Sequence, residues 1–399
     1  MKTREVKLSE VANVKGGKRI PKGIGLINIP NGHPYIRVRD LNNKRLLELD
    51  NSYEYVDNET QKVISKYTVK TGDVVLSIVG TIGLVAIVGR TLDGANLTEN
   101  CVKLSSFHGV NRDFLYYYLR SDYGQQEIRC GTVGAVQAKL PIKNIQNIAI
   151  NLPEYTTQER IASLLLSIDR KIELNQKIND NLEQQAVTYF QELYINNANP
   201  MWQIGTISDL GTVVGGSTPS KTKPEYYTNN GIAWITPKDL SINKSKFISH
   251  GENDITELGL KNSSATVMPK GTVLFSSRAP IGYIAIASNE VTTNQGFKSV
   301  VPYLEIGTAF VYFFLKHSLP VIESAASGST FKEISGSAMK NIPAIIPDRS
   351  TLDQFNSFCA PIFAQQKILE DQNYSLAMLR DSLLPKLMSG AIDIASIQL

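Results

Sequence analysis

The 399-residue sequence is poor in the residue types on which most metal and redox chemistry depends, with 3 cysteines, 4 histidines and 2 tryptophans. Cys101, Cys130 and Cys359 lie far apart without metal-ligand spacing, and an odd count makes no disulfide framework, so a reducing, cytoplasmic setting is expected. His33, His108, His250 and His317 form no i, i+4 pair, and no Gly-x-x-x-x-Gly-Lys-Ser/Thr loop is present to cradle a nucleotide phosphate. Neither a metal nor any other cofactor is expected. Long hydrophobic runs are missing too. The most apolar stretch, Val74 to Gly89, falls short of the ~20 residues of a spanning helix and is rich in glycine and β-branched residues. It reads as two strands around a turn, with no membrane partner. Met1 to Glu10 lacks the apolar core of a signal peptide. Charge of one sign is also not in excess: the net charge is +4, which permits a polyanionic partner without demanding one.

What the chain does have is a long helix near its middle. From Thr157 to Leu193, the residues Ile161, Leu165, Ile168, Ile172, Leu182, Ala186, Tyr189 and Leu193 follow a four-three spacing, the stripe of a coiled-coil seam. At a rise of ~1.5 Å per residue such a helix is on the order of 55 Å long and needs a partner. Asn175 and Asn179 occupy seam positions where leucine would stabilise more, and buried Asn there fixes register.

The chain also repeats itself. Val14-Lys15-Gly16-Gly17 returns as Val213-Val214-Gly215-Gly216, an offset of 199 residues. The same offset carries Tyr35 to Leu41 onto Trp234 to Leu240, and Gly72, Ser77, Ile82 and Gly83 onto Gly271, Ser276, Ile281 and Gly282. With small shifts the match extends from Phe114–Arg120 to Phe310–Lys316, and from the first seam to Phe355, Cys359, Ile362, Leu369, Leu376, Leu383 and Leu387, with Asn179 mapping onto Asn373. Several segments in one register are a duplication. Each globular half reads as mixed α/β. Tyr35 to Leu41 is expected as a short strand, Asp73 to Ile78 and Gly83 to Val88 as strands around a glycine turn, and Asp113 to Ser121 as an amphipathic helix. Pro385 predicts a kink in the last helix, Gly390 its stop, and Ala391 to Ile394 a short edge strand.

These residues resemble the DNA-specificity subunit of type I restriction-modification systems. The C-terminal LRDSLLPKLMSGAIDI (Leu379 to Ile394), the turns SIVGTIG (Ser77 to Gly83) and SSRAPIG (Ser276 to Gly282), and the run Thr293-Asn294-Gln295-Gly296-Phe297 are similar to features of that family. In the first copy Thr98-Glu99-Asn100-Cys101 stands where the second has Thr293-Asn294-Gln295-Gly296. The resemblance implies an α+β fold: two duplicated mixed α/β target recognition domains separated by two long helices forming an antiparallel coiled coil. It implies recognition domains at residues 1–152 and 200–347 and long spacer helices at 153–199 and 348–399, the last with the C-terminal tail. It further implies that double-stranded DNA is bound at a bipartite site. Two adenine methyltransferase subunits would dock on the helices, and an endonuclease/translocase subunit would join for restriction.

The chain itself carries no motif for that chemistry. Asn199-Pro200-Met201-Trp202 lacks the second proline of an adenine methyltransferase motif, and no acidic-x-Lys triplet follows Pro347-Asp348 to complete a nuclease site. A non-catalytic subunit is expected. Arg37, Arg39 and Lys238 beside a repeated strand, and Ser77, Thr81, Ser276 and Arg278 at the glycine turns, are the candidate DNA contacts. A solvated strand edge and an ordinary hairpin turn are the competing readings of those positions. The clusters Tyr116-Tyr117-Tyr118 and Tyr312-Phe313-Phe314 carry leucines at helical spacing and read as core. If the helices pair antiparallel about their centres, residues whose numbers sum to about 548 face each other, which sets Asn175 near Asn373. The helices would then fix the spacing between half-sites. A protein-interaction scaffold with duplicated domains that bind no DNA is the alternative function.

Overall fold

The structure, a computed structural model, describes residues 2–41, 44–134, 136–328 and 332–394. The chain forms two compact units, Met1–Lys171 with Ser375–Leu399, and Ile172–Tyr374. Both long helices, Tyr155–Phe190 and Arg349–Ser389, contribute to both units.

In the first unit a five-stranded sheet runs in the order Asn13–Gly16, Cys101–Ser105, Val74–Ser77, Val85–Val88, Leu46–Leu47, antiparallel except at the last pair. The apolar stretch from Val74 is its central hairpin, and it is apolar throughout because both faces of the sheet are covered. Val74, Leu76 and Ile87 enter one core with the helix Arg112–Arg120, while Val75, Ala86 and Val88 enter a second with Ile36 and Leu97. Each such buried aliphatic side chain contributes about 1.5–3 kcal/mol. A three-stranded sheet (Glu54–Tyr55, Pro34–Ile36, Asn96–Leu97) and a two-stranded ribbon (Thr3–Lys7 with Ala149–Pro153) complete the unit.

The second unit repeats this order strand for strand: Gly211–Gly215, Lys298–Pro302, Val273–Ser277, Ile281–Ala287, Phe247–Ile248, again with only the last pair parallel. Its ribbon pairs Gln203–Thr206 with Pro343–Ile346. The duplication is therefore one of topology as well as of sequence.

Each unit takes its long-helix packing from both helices. Ile161, Ala162 and Leu165 of the first helix and Leu387 and Met388 of the second join the core of the first unit. Ala186 and Phe190 of the first helix and Leu352, Phe355, Cys359 and Ile362 of the second join that of the second unit. The contacts run antiparallel, Tyr189 meeting Phe358 and Phe355 in one unit, Asp169 meeting Arg380 in the other. The fold is thus two mixed α/β domains with an antiparallel pair of long helices. Among the described residues no helix is long and apolar enough to cross a membrane.

Two local expectations change. Tyr35 to Leu41 is not all strand, because the strand ends at Ile36 and Val38–Leu41 turns as a 3-10 helix, held by Asp40 accepting the Arg37 N–H at 2.7 Å. Ala391 to Ile394 forms no strand. Its Ile392 N–H folds back to the Lys386 carbonyl and Ile394 enters the core. The end of the second helix is as expected: it runs through Pro385 to Ser389 and stops at Gly390, whose φ of 75° a side chain would disfavour.

Candidate nucleic-acid interface

The central hairpin of each unit ends in the glycine loop that the sequence singled out. In the first, the Ser77 hydroxyl donates to the Thr81 carbonyl at 2.6 Å and accepts the Leu84 N–H at 2.9 Å. In the second, Ser276 donates to the Pro280 carbonyl at 2.8 Å and accepts the Tyr283 N–H at 2.7 Å. Both serines are fully buried. They were expected as DNA contacts, but their hydroxyls are spent inside the loop, so they hold its shape. Thr81, at the loop tip, is exposed. Arg278 is half-exposed and pairs with Glu333 at 3.3 Å.

Arg37, Arg39 and Lys238 sit at the next turn. Arg37 and Arg39 converge on Glu54, Arg39 at 2.8 Å, and Lys238 pairs with Glu252 at 2.6 Å. Arg39 and Lys238 are exposed, so solvent screens these pairs and they exchange readily for another anion. Beneath them Asp40 and Asp239 do the same work, each accepting the N–H three residues earlier, from Arg37 and Thr236, at 2.7 Å. Burial pushes the Asp40 carboxyl up to about 6 against the pull of Arg39. Tyr116, Tyr117, Tyr118, Tyr312, Phe313 and Phe314 are core residues, as their helical spacing implied.

A third element at this edge was noted in the sequence as a motif but given no site residue: the turn after Leu97 and after Thr293. The Thr98 N–H donates to the Ile36 carbonyl, and Asn294 to that of Ile235, both at 3.0 Å. The Lys18 N–H reaches the Leu97 carbonyl, and that of Ser217 reaches Thr293. The Ile78 N–H reaches Asn100, and that of Ser277 reaches Gly296. These bonds equate Thr98–Cys101 with Asn294–Phe297, one residue along from the correspondence expected from the sequence. They also explain the repeated glycines. A Cβ on Gly17 would collide with the Thr98 carbonyl, and one on Gly216 with that of Asn294. Two outward side chains then fall at equivalent places. Arg19 pairs with Glu99 at 2.5 Å in the first unit, and Thr218 hydrogen-bonds Gln295 in the second.

The helices carry buried polar groups of their own. Asn175 is fully buried and donates to the Asn373 side-chain oxygen at 2.9 Å and to Gln372 at 3.3 Å. The Asn179 carbonyl accepts from Gln366 at 3.1 Å. In the second unit Lys246, on the edge strand's approach, inserts its ammonium between Glu183 and Gln366 of the two helices, over the Phe363 ring at 4.2 Å. Burial alone would raise the Glu183 carboxyl, but Lys246 and Lys316 outweigh it and hold it below its ordinary value. In the first unit Asp169 accepts from Tyr117 at 2.6 Å and from Arg380 at 2.8 Å. The sequence held no signal for these ties, since a charged residue beside a seam looks like a solvated one.

The residues that resembled fragments of catalytic motifs have structural partners. Trp202 is buried and donates its indole N–H to Asp348 at 3.0 Å, and Asp348 also accepts the Thr351 N–H at 2.9 Å at the start of the second helix. Among the described residues no group of three or more His, Cys, Asp or Glu is placed to hold a metal ion.

The model of the type I restriction modification DNA specificity domain matches the chain twice, over residues 2–184 and 199–371. The chain belongs to this family. The type I restriction enzyme MjaIX specificity subunit of Methanocaldococcus jannaschii is 43% identical over 162 residues, 40% of this chain and 37% of that one. The type I restriction enzyme HindI specificity subunit of Haemophilus influenzae is 23% identical over 416 aligned positions, 82% of this chain and 88% of that one. Among solved structures, the type I restriction-modification system S subunit from M. genitalium has the same fold, with a TM-score of 0.57 and 16% identity over 97% of this chain and 96% of that chain.

Proposed function

We propose that this chain is the sequence-reading subunit of a type I restriction-modification complex. It binds double-stranded DNA at a bipartite site and directs methyltransferase and endonuclease subunits there, itself performing no chemistry. Residues 1–152 and 200–347 act as the two target recognition domains, and 153–199 and 348–399 as the spacer helices. The observation that carries this reading is the duplicated edge. In a chain of the specificity family, the same hairpin clamp and the same turn recur in both units with different exposed side chains. A duplicated scaffold with altered side chains suits a target of two unlike halves.

In this reading Thr81 and Arg278 at the hairpin loops, and Arg37, Arg39 and Lys238 at the adjoining turns, contact phosphate or base edges. The helices receive two adenine methyltransferase subunits and fix the spacing of the half-sites, with Asn175, Asn179 and Asn373 setting their register. An endonuclease/translocase subunit completes the complex. A gel-shift with a random duplex pool, with and without a co-expressed methyltransferase, tests the reading. Binding should weaken steeply with salt as phosphate contacts release counterions. A chain that retains no DNA under either condition would instead be a protein-binding scaffold.

A further inference from the structure

The Arg19–Glu99 and Thr218–Gln295 pairs occupy one position in a duplicated scaffold, and the DNA-binding role proposed above gives that position a use. We infer that these are the side-chain pairs through which the two recognition domains read bases, one pair for each half of the target.

The scaffold is the same in both copies. The turn is tied to the neighbouring strand, to the hairpin and to the glycine-bearing segment by equivalent backbone bonds, and it leaves no room for a Cβ at Gly17 or Gly216. On this fixed backbone the side chains differ in kind, a guanidinium with a carboxylate in one copy, a hydroxyl with a carboxamide in the other. Base readout needs that combination, because the backbone must be held while donors and acceptors change with the base. An arginine fork matches the O6 and N7 acceptors of guanine, and a glutamine carboxamide matches the N6 and N7 of adenine.

Stability does not account for the pairs. The Arg19 side chain is 77% exposed, and an exposed ion pair contributes little to folding. Gln295 is likewise exposed. Arg19 can leave Glu99 for a base at small cost, and Glu99 keeps the guanidinium oriented until it does.

A basic cavity lies against the same scaffold in the first unit. Its volume is about 250 Å³, and it is bounded by Gly16 and Leu97, the residues before Gly17 and Thr98, and by Lys15, Lys66 and Lys103. Lys15 and Lys103 stand directly opposite each other on neighbouring strands, an arrangement that like charges make unfavourable. Asp73, 3.2 Å from Lys103, offsets part of that charge, and no carboxylate is among the cavity's lining residues. A backbone phosphate seated there would relieve the repulsion.

Selection of bound duplexes from a random pool by the full chain with its methyltransferase subunit tests the inference. Arg19→Gln should cost about tenfold or more in discrimination at one position of one half-site, and Gln295→Ala the same in the other half-site, each leaving the opposite half unchanged. Arg19→Lys retains the charge without the fork and should lose the same discrimination while binding persists. If all three variants select the wild-type motif, the inference is overturned and the DNA-binding reading stands. Uniformly weaker binding with a shallower salt slope and an unchanged motif would also overturn it, by making Arg19 a phosphate contact. If the wild-type chain enriches no sequence at all, the proposed function fails and this inference with it.

Discussion

Two small residue types control the edge of each domain. A side chain at Gly216 must displace the backbone at Asn294, which cannot move without breaking its bond to Ile235. Gly216→Ala should therefore destabilise the chain by about 1–3 kcal/mol, the range for forcing extra atoms into a packed site, as read from urea unfolding. Ser276→Ala removes the acceptor of the Tyr283 N–H and should cost about 1–3 kcal/mol in the same measurement. A Ser276→Ala variant as stable as the wild type would show that the loop does not depend on its clamp. At this scale the sequence was informative about position and misleading about role. Ser77 and Ser276 stood out because they repeat beside glycines, a pattern equally suited to a loop that is read by a ligand and a loop that must be held. Only burial separates the two. Arg19 was overlooked, and Gln295 was noted within a motif without a role, for the opposite reason. They are not alike in the two copies, so a search for repetition passes over them.

The long helices were legible because a seam leaves a periodic trace that needs no tertiary knowledge. Ile161, Leu165 and Ala186 are buried as that period required, and Asn175 meets Asn373 at the place antiparallel pairing about the centres implied. The central hairpin was legible because β-branched residues on both faces mark a doubly covered sheet. The Val38–Leu41 turn was not, since a single Asp40 bond to the Arg37 N–H redirects an otherwise strand-like segment.

The Glu183–Lys246 tie responds to pH on the acid side. Because the folded state holds Glu183 below its ordinary value of 4.5, the tie's stabilisation is present above that pH and is lost as pH falls through the folded-state value. The melting temperature should decline on that acid side, and Glu183→Gln should flatten the decline. Lys246→Met leaves Glu183 facing a buried site with one cation fewer, and a loss of about 3–5 kcal/mol is expected at neutral pH. An unchanged melting temperature in that variant would mean that the tie contributes nothing. Asn175→Leu gives up the bonds to Asn373 and Gln372, which are exposed enough to turn to water, and removes an oxygen buried without a hydrogen-bond partner, so it should raise stability by about 1 kcal/mol.

For the whole molecule, duplication is the organising fact: one strand order, one hairpin clamp and one turn, used twice with different side chains between them. In the proposed function such a chain supplies recognition and partner subunits supply the chemistry. Purified alone it should neither methylate nor cleave DNA, which labelled S-adenosylmethionine and a cleavage assay would check. The central claim is that each copy reads one half of a bipartite target. Exchanging residues 1–152 for the same region of a relative and mapping the methylated sites of the chimera with its methyltransferase subunit tests this most directly. One half of the recognised sequence should change, with the other half and the spacer between them retained. A chimera whose map changes in both halves would contradict the account.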